Sequence, residues 1–287
     1  MTRATAGVNL PESVANSIWA DAQTGSAVMS LATQMVLPGN GVAVPLITGD
    51  ATASFVAEGA KKPTSDSTVD NKVITPYKIA VIQRFTDEFR RDANALYEAL
   101  AARLPNALAR EFDRAVFHGP VPGSGFDTLA GVQALGLDGT DAYADLVAID
   151  GAVAGANGVL NGWALAPRAK TLLNGAVDGN GRPLFLNSIA DNGVANILGG
   201  RVAITPAVYR ADGAGDDGEV LGFAGDWTQA FYGTVEGVKV SMSDQAVVDG
   251  ISLWEHNMFA IRAEVEVGFA VRDEDKFVKI VGANTVA

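Results

Sequence analysis

The sequence predicts an α+β protein of two lobes, one of them inserted into the other. Three observations carry this. Leu96, Leu100, Leu104, Leu108, Phe112 and Val116 recur every fourth residue, the repeat of one face of a long helix. Over residues 259–267 the odd positions are apolar (Phe259, Ile261, Ala263, Val265, Val267), while Arg262, Glu264 and Glu266 are polar. That alternation is a strand with one buried face. Between these two features, residues 141–232 alternate helix and strand signals, which reads as an α/β unit set into the first lobe.

Taken in order, residues 1–10 read as a flexible lead-in. Pro11-Glu12 then opens a short helix, with Val14, Ile18 and Ala22 on one face. Residues 41–47 (GVAVPLI) read as a strand, with Pro45 placing it at an edge or a bulge. Residues 48–75 are rich in Thr, Ser, Asp, Gly and Lys and read as a long two-stranded excursion. A hairpin this polar cannot pack a core of its own and needs something outside itself to lie on. The long helix covers residues 92–118, capped by Asp92, and spans about 37 Å. Pro105 removes one of its backbone hydrogen bonds and is expected to kink it. Residues 119–140 form a Gly/Pro-rich boundary. A helix at 141–156, a strand at 163–166, a helix at 167–177 opened by Pro167, a strand at 200–205 and a loop at 212–219 build the inserted lobe. A final short strand occupies 277–281.

Composition narrows the chemistry. With 287 residues, 48% of them hydrophobic, the chain can bury a sizeable core. It has no Cys, which excludes disulfides, thiolate catalysis and iron–sulfur clusters. Its two histidines, His118 and His256, have no partners at ligand spacing, which excludes a His-rich metal site; a carboxylate-only Ca²⁺ or Mg²⁺ site stays open but has no motif behind it, and no cofactor is expected. The net charge of -12 and the lack of any basic run argue against direct nucleic-acid binding, and a chain of this kind would enclose DNA without gripping it. No signal-peptide pattern opens the sequence, and no apolar run approaches the ~20 residues that cross a bilayer. A soluble protein made in a cytoplasm, with no membrane partner, is expected.

The short motifs do not add up to an active site. Gly213, Gly215 and Gly218 fit GxGxxG, but Asp216 and Asp217 would repel a pyrophosphate, so a surface loop is the better reading. His118 ends the long helix, where a cationic ring suits the negative helix end. His256, beside Glu255, reads as a surface or interface residue on a strand. No nucleophile elbow is present.

Several segments in sequence carry a family likeness. Leu10-Pro11 opens the first helix, VAVP follows at 42–45, and FVAEGAKKPTSDS occupies 55–67. Val73-x-x-Pro76-x-Lys78 leads to FTDEFRRD at 85–92 and the long helix. LAPRAKTLLNGAVDGNGRPLF (165–185), LGGRVAIT (198–205), GDWTQAFYG (225–233) and HNMFAIRAEVEVGFAVRDEDKFVKI (256–280) complete the series. In order and spacing this resembles the tailed-bacteriophage major capsid proteins of the Hong Kong 97-type fold. The resemblance implies an N-terminal arm at 1–27 and an extended loop at 48–75. It implies a peripheral domain with a spine helix, built from 28–47, 76–123 and 233–287, and an axial domain at 124–232. It implies self-assembly into pentamers and hexamers of an icosahedral head around double-stranded DNA, with the arm and the loop lying across neighbouring subunits. Partners implied are a separate scaffolding protein, a portal protein and a decoration protein.

An encapsulin-like bacterial compartment shares that fold and is the alternative; an α/β enzyme lacks a catalytic constellation here. Some members of the family join subunits by a Lys–Asn isopeptide bond promoted by a Glu. Matched residue by residue, these are Lys62 in the loop and Asn257 and Glu264 in the peripheral domain. Seven apart on a strand, Asn257 and Glu264 would stand about 23 Å from each other on opposite faces, so the reaction would need the assembled shell.

Overall fold

The structure is a computed structural model that describes residues 12–47, 55–56, 61–62, 69–90, 93–137, 141–177, 182–185, 196–211 and 218–282. The tip of the 48–75 loop, the Asp92 cap and the Asp216-Asp217 pair lie outside the described residues. In chain order the first half comprises α1 (Glu12–Gly25), α2 (Ala27–Leu31), β1 (Thr33–Val36), β2 (Val42–Ile47), β3 (Val69–Ile74), β4 (Tyr77–Thr86), α3 (Asp87–Arg90) and α4 (Ala93–His118). The middle adds β5 (Gln133–Leu137), α5 (Ala142–Gly155), β6 (Gly162–Leu165), α6 (Pro167–Gly175), β7 (Asn196–Ile197), β8 (Gly200–Ile204) and β9 (Val220–Gly225). The chain then forms β10 (Ala230–Thr234), β11 (Lys239–Ser243), β12 (Val247–Val248), β13 (Ile251–Ser252), β14 (Met258–Val271) and β15 (Phe277–Gly282).

The leucine repeat does what its period predicts. Leu104, Leu108, Phe112 and Val116 are all buried, whereas the side chains of Leu96 and Leu100 lie outside the described ones. The helix runs through Pro105 without a break. Its buried face lies on a five-stranded sheet organised around β14. Residues 258–267 of β14 pair with β4, 260–264 with β11 and 267–271 with β10, all antiparallel, and β1 joins β10 in parallel. Phe112 meets Phe126, Tyr232 and Phe269 edge-on at centroid distances of 6.2, 6.4 and 6.3 Å, geometry that adds to area burial.

The six-stranded sheet runs β5-β15-β9-β6-β8-β7. On one face Leu146, Ile149 and Val153 of α5 and Leu173 of α6 cover Trp163, Leu221, Val278 and Ile280. On its other face Phe223, Trp227 and Phe277 join the core under α4, with Phe117 stacked on Phe223 at 4.8 Å. One core cluster therefore spans both lobes, and a second lies between the six-stranded sheet and α5 and α6. Asp141 caps α5, accepting from the Ala144 N–H at 3.1 Å.

The sequence boundaries and the sheets part company in a few places. The Gly/Pro boundary at 119–140 contains β5, and β1, β10 and β11 had no separate signal. The division implied by the resemblance assigns 277–282 to the peripheral domain; in the structure this strand lies between β5 and β9 of the six-stranded sheet.

Candidate assembly surfaces

β2 and β3 form a two-stranded ribbon that pairs with no other described strand. Pro45 faces Asn71 in it, on a ribbon whose outer edges are both open, in accord with the edge position expected of that proline. At its root the ribbon is fastened by Lys72. Its Nζ donates to Val271 O at 2.6 Å and pairs with Asp127 Oδ2 at 2.7 Å. Asp127 Oδ2 also accepts from the Val271 N–H at 2.8 Å. Beyond the root, Phe55, Val56, Lys61 and Lys62 are exposed.

The described part of the arm lies on the chain's own spine helix. α1 runs along α4, and Ala22 is fully buried there. At the α1–α2 junction Asp113 of α4 is buried and accepts three hydrogen bonds, from Ser26 Oγ and from the Ala27 and Val28 N–H groups.

The residues matched to the isopeptide chemistry are not brought into one site. Lys62 is exposed in the loop. Asn257, expected on a strand, instead ends the turn at 253–257, in the left-handed region at φ 51°. Asn tolerates that conformation because its short side chain bonds locally. The turn also carries His256, again not on a strand, whose Nδ1 lies 2.9 Å from Ser252 O. Glu264 sits within β14 between Ala80 and Lys239, with Arg262 Nε 3.5 Å from its carboxylate.

His118 also departs from expectation. Its Nε2 is 2.9 Å from Val208 O, and burial pushes its pKa down, with Arg210 and Arg114 contributing repulsion. The ring ties the helix end to the 3-10 turn Pro206–Val208. The cation at this helix end is Arg114, which donates to Gly119 O at 3.0 Å.

Two surface features carried no local sequence signal. Trp254 is 71% exposed in the turn before β14, close in sequence to Val247, 69% exposed. Two grooves flank α4. One, about 570 Å³, runs between the helix and β4 and is mainly apolar, lined by Ile79, Val81, Leu108 and Phe126. The other, about 680 Å³, lies between the helix end and the 206–210 segment and is lined by Arg110, Arg114, His118 and Arg210. Among the described residues no cluster of His, Asp and Glu is arranged to hold a metal ion, and no helix is long and apolar enough to cross a membrane.

The sequence matches the Phage capsid family over residues 6–282. The chain belongs to the phage capsid family. It is 31% identical to the probable major capsid protein gp17 of Mycobacterium phage L5, over 94% of this chain and 88% of that protein. It is 29% identical to the corresponding gp17 of Mycobacterium phage D29, over 93% and 87%. Among solved structures, a chain from Gordonia phage Cozz superposes with a TM-score of 0.72 at 25% identity, covering 90% of this chain and 86% of its own length. The capsid of a native GTA particle has the same fold, with a TM-score of 0.67 at 14% identity over 99% and 95%. The Hong Kong 97-type α+β fold expected from the motif series is therefore present. A phage capsid protein is a structural component, not a conventional enzyme, and these likenesses favour it over the encapsulin-like compartment.

Proposed function

We propose that this chain is the major subunit of a closed icosahedral head, built from pentamers and hexamers of itself and enclosing the double-stranded DNA of a tailed phage. The observation that carries the reading is the β2–β3 ribbon. It has two open edges, exposed Phe55 and Val56 beyond its root, and no described strand beside it. A two-stranded ribbon is marginal by itself, and a neighbouring subunit supplies what it lies on. Closed symmetry multiplies each such contact around the particle. The expected division into arm (1–27), extended loop (48–75), peripheral domain (28–47, 76–123, 233–287) and axial domain (124–232) belongs to this proposal, except that strand 277–282 goes with the six-stranded sheet of the axial domain. So do assembly in the host cytoplasm and the partners scaffold, portal and decoration protein.

The covalent weld is part of the same reading. Lys62 Nζ, neutral, would attack Asn257 Cγ of a neighbour; Glu264 takes the proton that Nζ loses and passes it to Nδ2, so that the Cγ–Nδ2 bond breaks with ammonia leaving as the Nζ–Cγ bond forms. The exposure of Lys62 and Asn257 supports reach between subunits.

Purified protein, supplied with its scaffold if required, should sediment as capsomers or shells and appear as closed particles by negative-stain microscopy. A chain that stays monomeric at high concentration with scaffold present overturns the proposal.

A further inference from the structure

The charge count hides a local reversal of sign. The chain carries 33 acidic against 21 basic side chains, yet the solvent side of the second half of α4 is basic. Arg103, Arg110 and Arg114 are all exposed on the side opposite Leu104, Leu108 and Phe112. Eleven residues of helix set the first and last of them about 16 Å apart. Arg210, distant in sequence, is delivered to the same groove by the 3-10 turn that His118 holds. Arg210 and Arg114 stand near enough to His118 for their charges to disfavour its protonation, so the positive groups converge. Among the described residues the single acid lining this groove is Glu111, which grips Arg114 through two bonds: Arg114 Nε to Oε2 at 3.0 Å and NH2 to Oε1 at 2.5 Å. Arg110 has no such clamp among the described residues.

We propose that this arginine row is a phosphodiester contact: the exposed face of α4 together with Arg210 binds the backbone of duplex DNA without reading its sequence. The inference rests on the head-subunit reading, which places a duplex against the subunit. It reverses the expectation, drawn from net charge, that DNA is enclosed without being held.

Three features favour a nucleic-acid backbone over an acidic protein surface. Guanidinium forks match phosphate oxygens in pairs. A duplex offers a phosphate every ~3.4 Å along each strand, so a row of about 16 Å always meets several, whatever the register. Between the charged groups the groove lining is small, with Ala107, Gly119 and Ala207 beside the arginines, and its rings are His118 and Tyr209, with no large aliphatic side chain. A protein partner would need a desolvated apolar anchor there, whereas DNA interfaces are polar and wet.

The test uses the full-length chain and two labelled duplexes of unrelated sequence, each about 20 base pairs, with anisotropy read from about 20 to 200 mM salt. Expected is equal binding of both duplexes, with log affinity falling against log salt at a slope of about -2 to -3, for two to three phosphate contacts. The Arg110→Gln/Arg210→Gln variant should bind at least about tenfold more weakly at low salt and lose about 2 from that slope. Glu111→Gln, which frees Arg114, should bind more tightly and steepen the slope by up to about 1. Each variant is also assayed for particles, and its melting temperature confirms folding. The proposal is overturned if the parent chain fails to bind either duplex at low salt, if the double variant binds as the parent does, or if Glu111→Gln weakens binding. If the parent chain ignores DNA and the double variant stops assembling, the row is a contact with a second copy instead. Failure of the parent chain to form particles speaks against the head-subunit reading separately.

Discussion

Ser26 Oγ donates to Asp113 Oδ1 at 2.5 Å, which joins the head of α2 to the C-terminal part of α4 across most of a hundred residues of chain. The Ala27 N–H reaches Asp113 Oδ2 at 2.9 Å and the Val28 N–H reaches Oδ1 at 3.3 Å. A carboxylate from another helix thus satisfies backbone donors that α2 cannot satisfy within itself. Burial pushes the Asp113 pKa up to about 6, and the three donors offset only part of that cost.

This sets a pH dependence with a definite sign. In the unfolded chain the carboxyl titrates near 3.8; in the folded protein it holds its proton to about 6. Between those values the native state binds more protons, so stability falls as pH rises through the window and levels off above it. The contribution is at most about 3 kcal/mol. Subtracting melting curves of Asp113→Asn from those of the parent protein at pH 4 to 7 should isolate it. Asp113→Ala, which strands three donors, should cost roughly 2–4 kcal/mol at neutral pH.

Lys72 holds the ribbon root through Asp127 and Val271 O. Lys72→Met keeps the stem and removes the ammonium. Global stability should drop by only about 1 kcal/mol, since the pair is partly solvated. Amide exchange at 69–74 should rise far more than in β14, and equal changes in both would show that the root is not a local fastening.

Gly233 and Gly268 face each other across β10 and β14, and Leu37 fills the space above them. A Cβ on Gly268 would come within 3.0 Å of Leu37 Cδ1, and one on Gly233 would collide with Leu37 outright. Gly233→Ala should destabilise by about 1–3 kcal/mol. Pairing it with Leu37→Ala should return part of that loss in a double-mutant cycle on thermal melts.

Trp163 and Trp227 are buried, whereas Trp254 is 71% exposed. Large exposed aromatics at the centre of a contact are what association buries. Assembly should shift tryptophan emission to shorter wavelength, and Trp254→Ala should abolish most of the shift. It should leave the subunit's melting temperature unchanged while weakening particle formation.

Mature particles boiled in denaturant should run as ladders if the Lys62–Asn257 weld forms, and Lys62→Ala should collapse them to one band. Glu264→Gln should slow the appearance of the ladder without altering particle yield.

Much of the architecture was written in local patterns. The spine helix showed in a four-residue repeat that α4 buries as expected. The exposed ribbon showed in a segment too polar to make a core. β9 had a weaker signal because all six of its residues are buried, so alternation is absent. β5 was hidden among glycines because most of its residues are not fully buried and its pairing comes from far along the chain. The surfaces were less legible. Asn257 looked like part of a strand because its neighbours continue the alternation, while its positive φ is a property of the turn. The arginine row was invisible for a different reason: Arg210 joins Arg110 and Arg114 only after a 3-10 turn folds onto the helix end.

The place of β15 bears on how the subunit is made. Within its sheet β5 has β15 as its one strand partner, and β9 relies on β15 along one side. On the ribosome, β5 emerges early and must wait until residues 277–282 have been synthesised. Any chain interrupted before that point keeps two open strand edges, which invite clumping. Only a chain that includes residues 277–282 can therefore close this sheet and cover those edges.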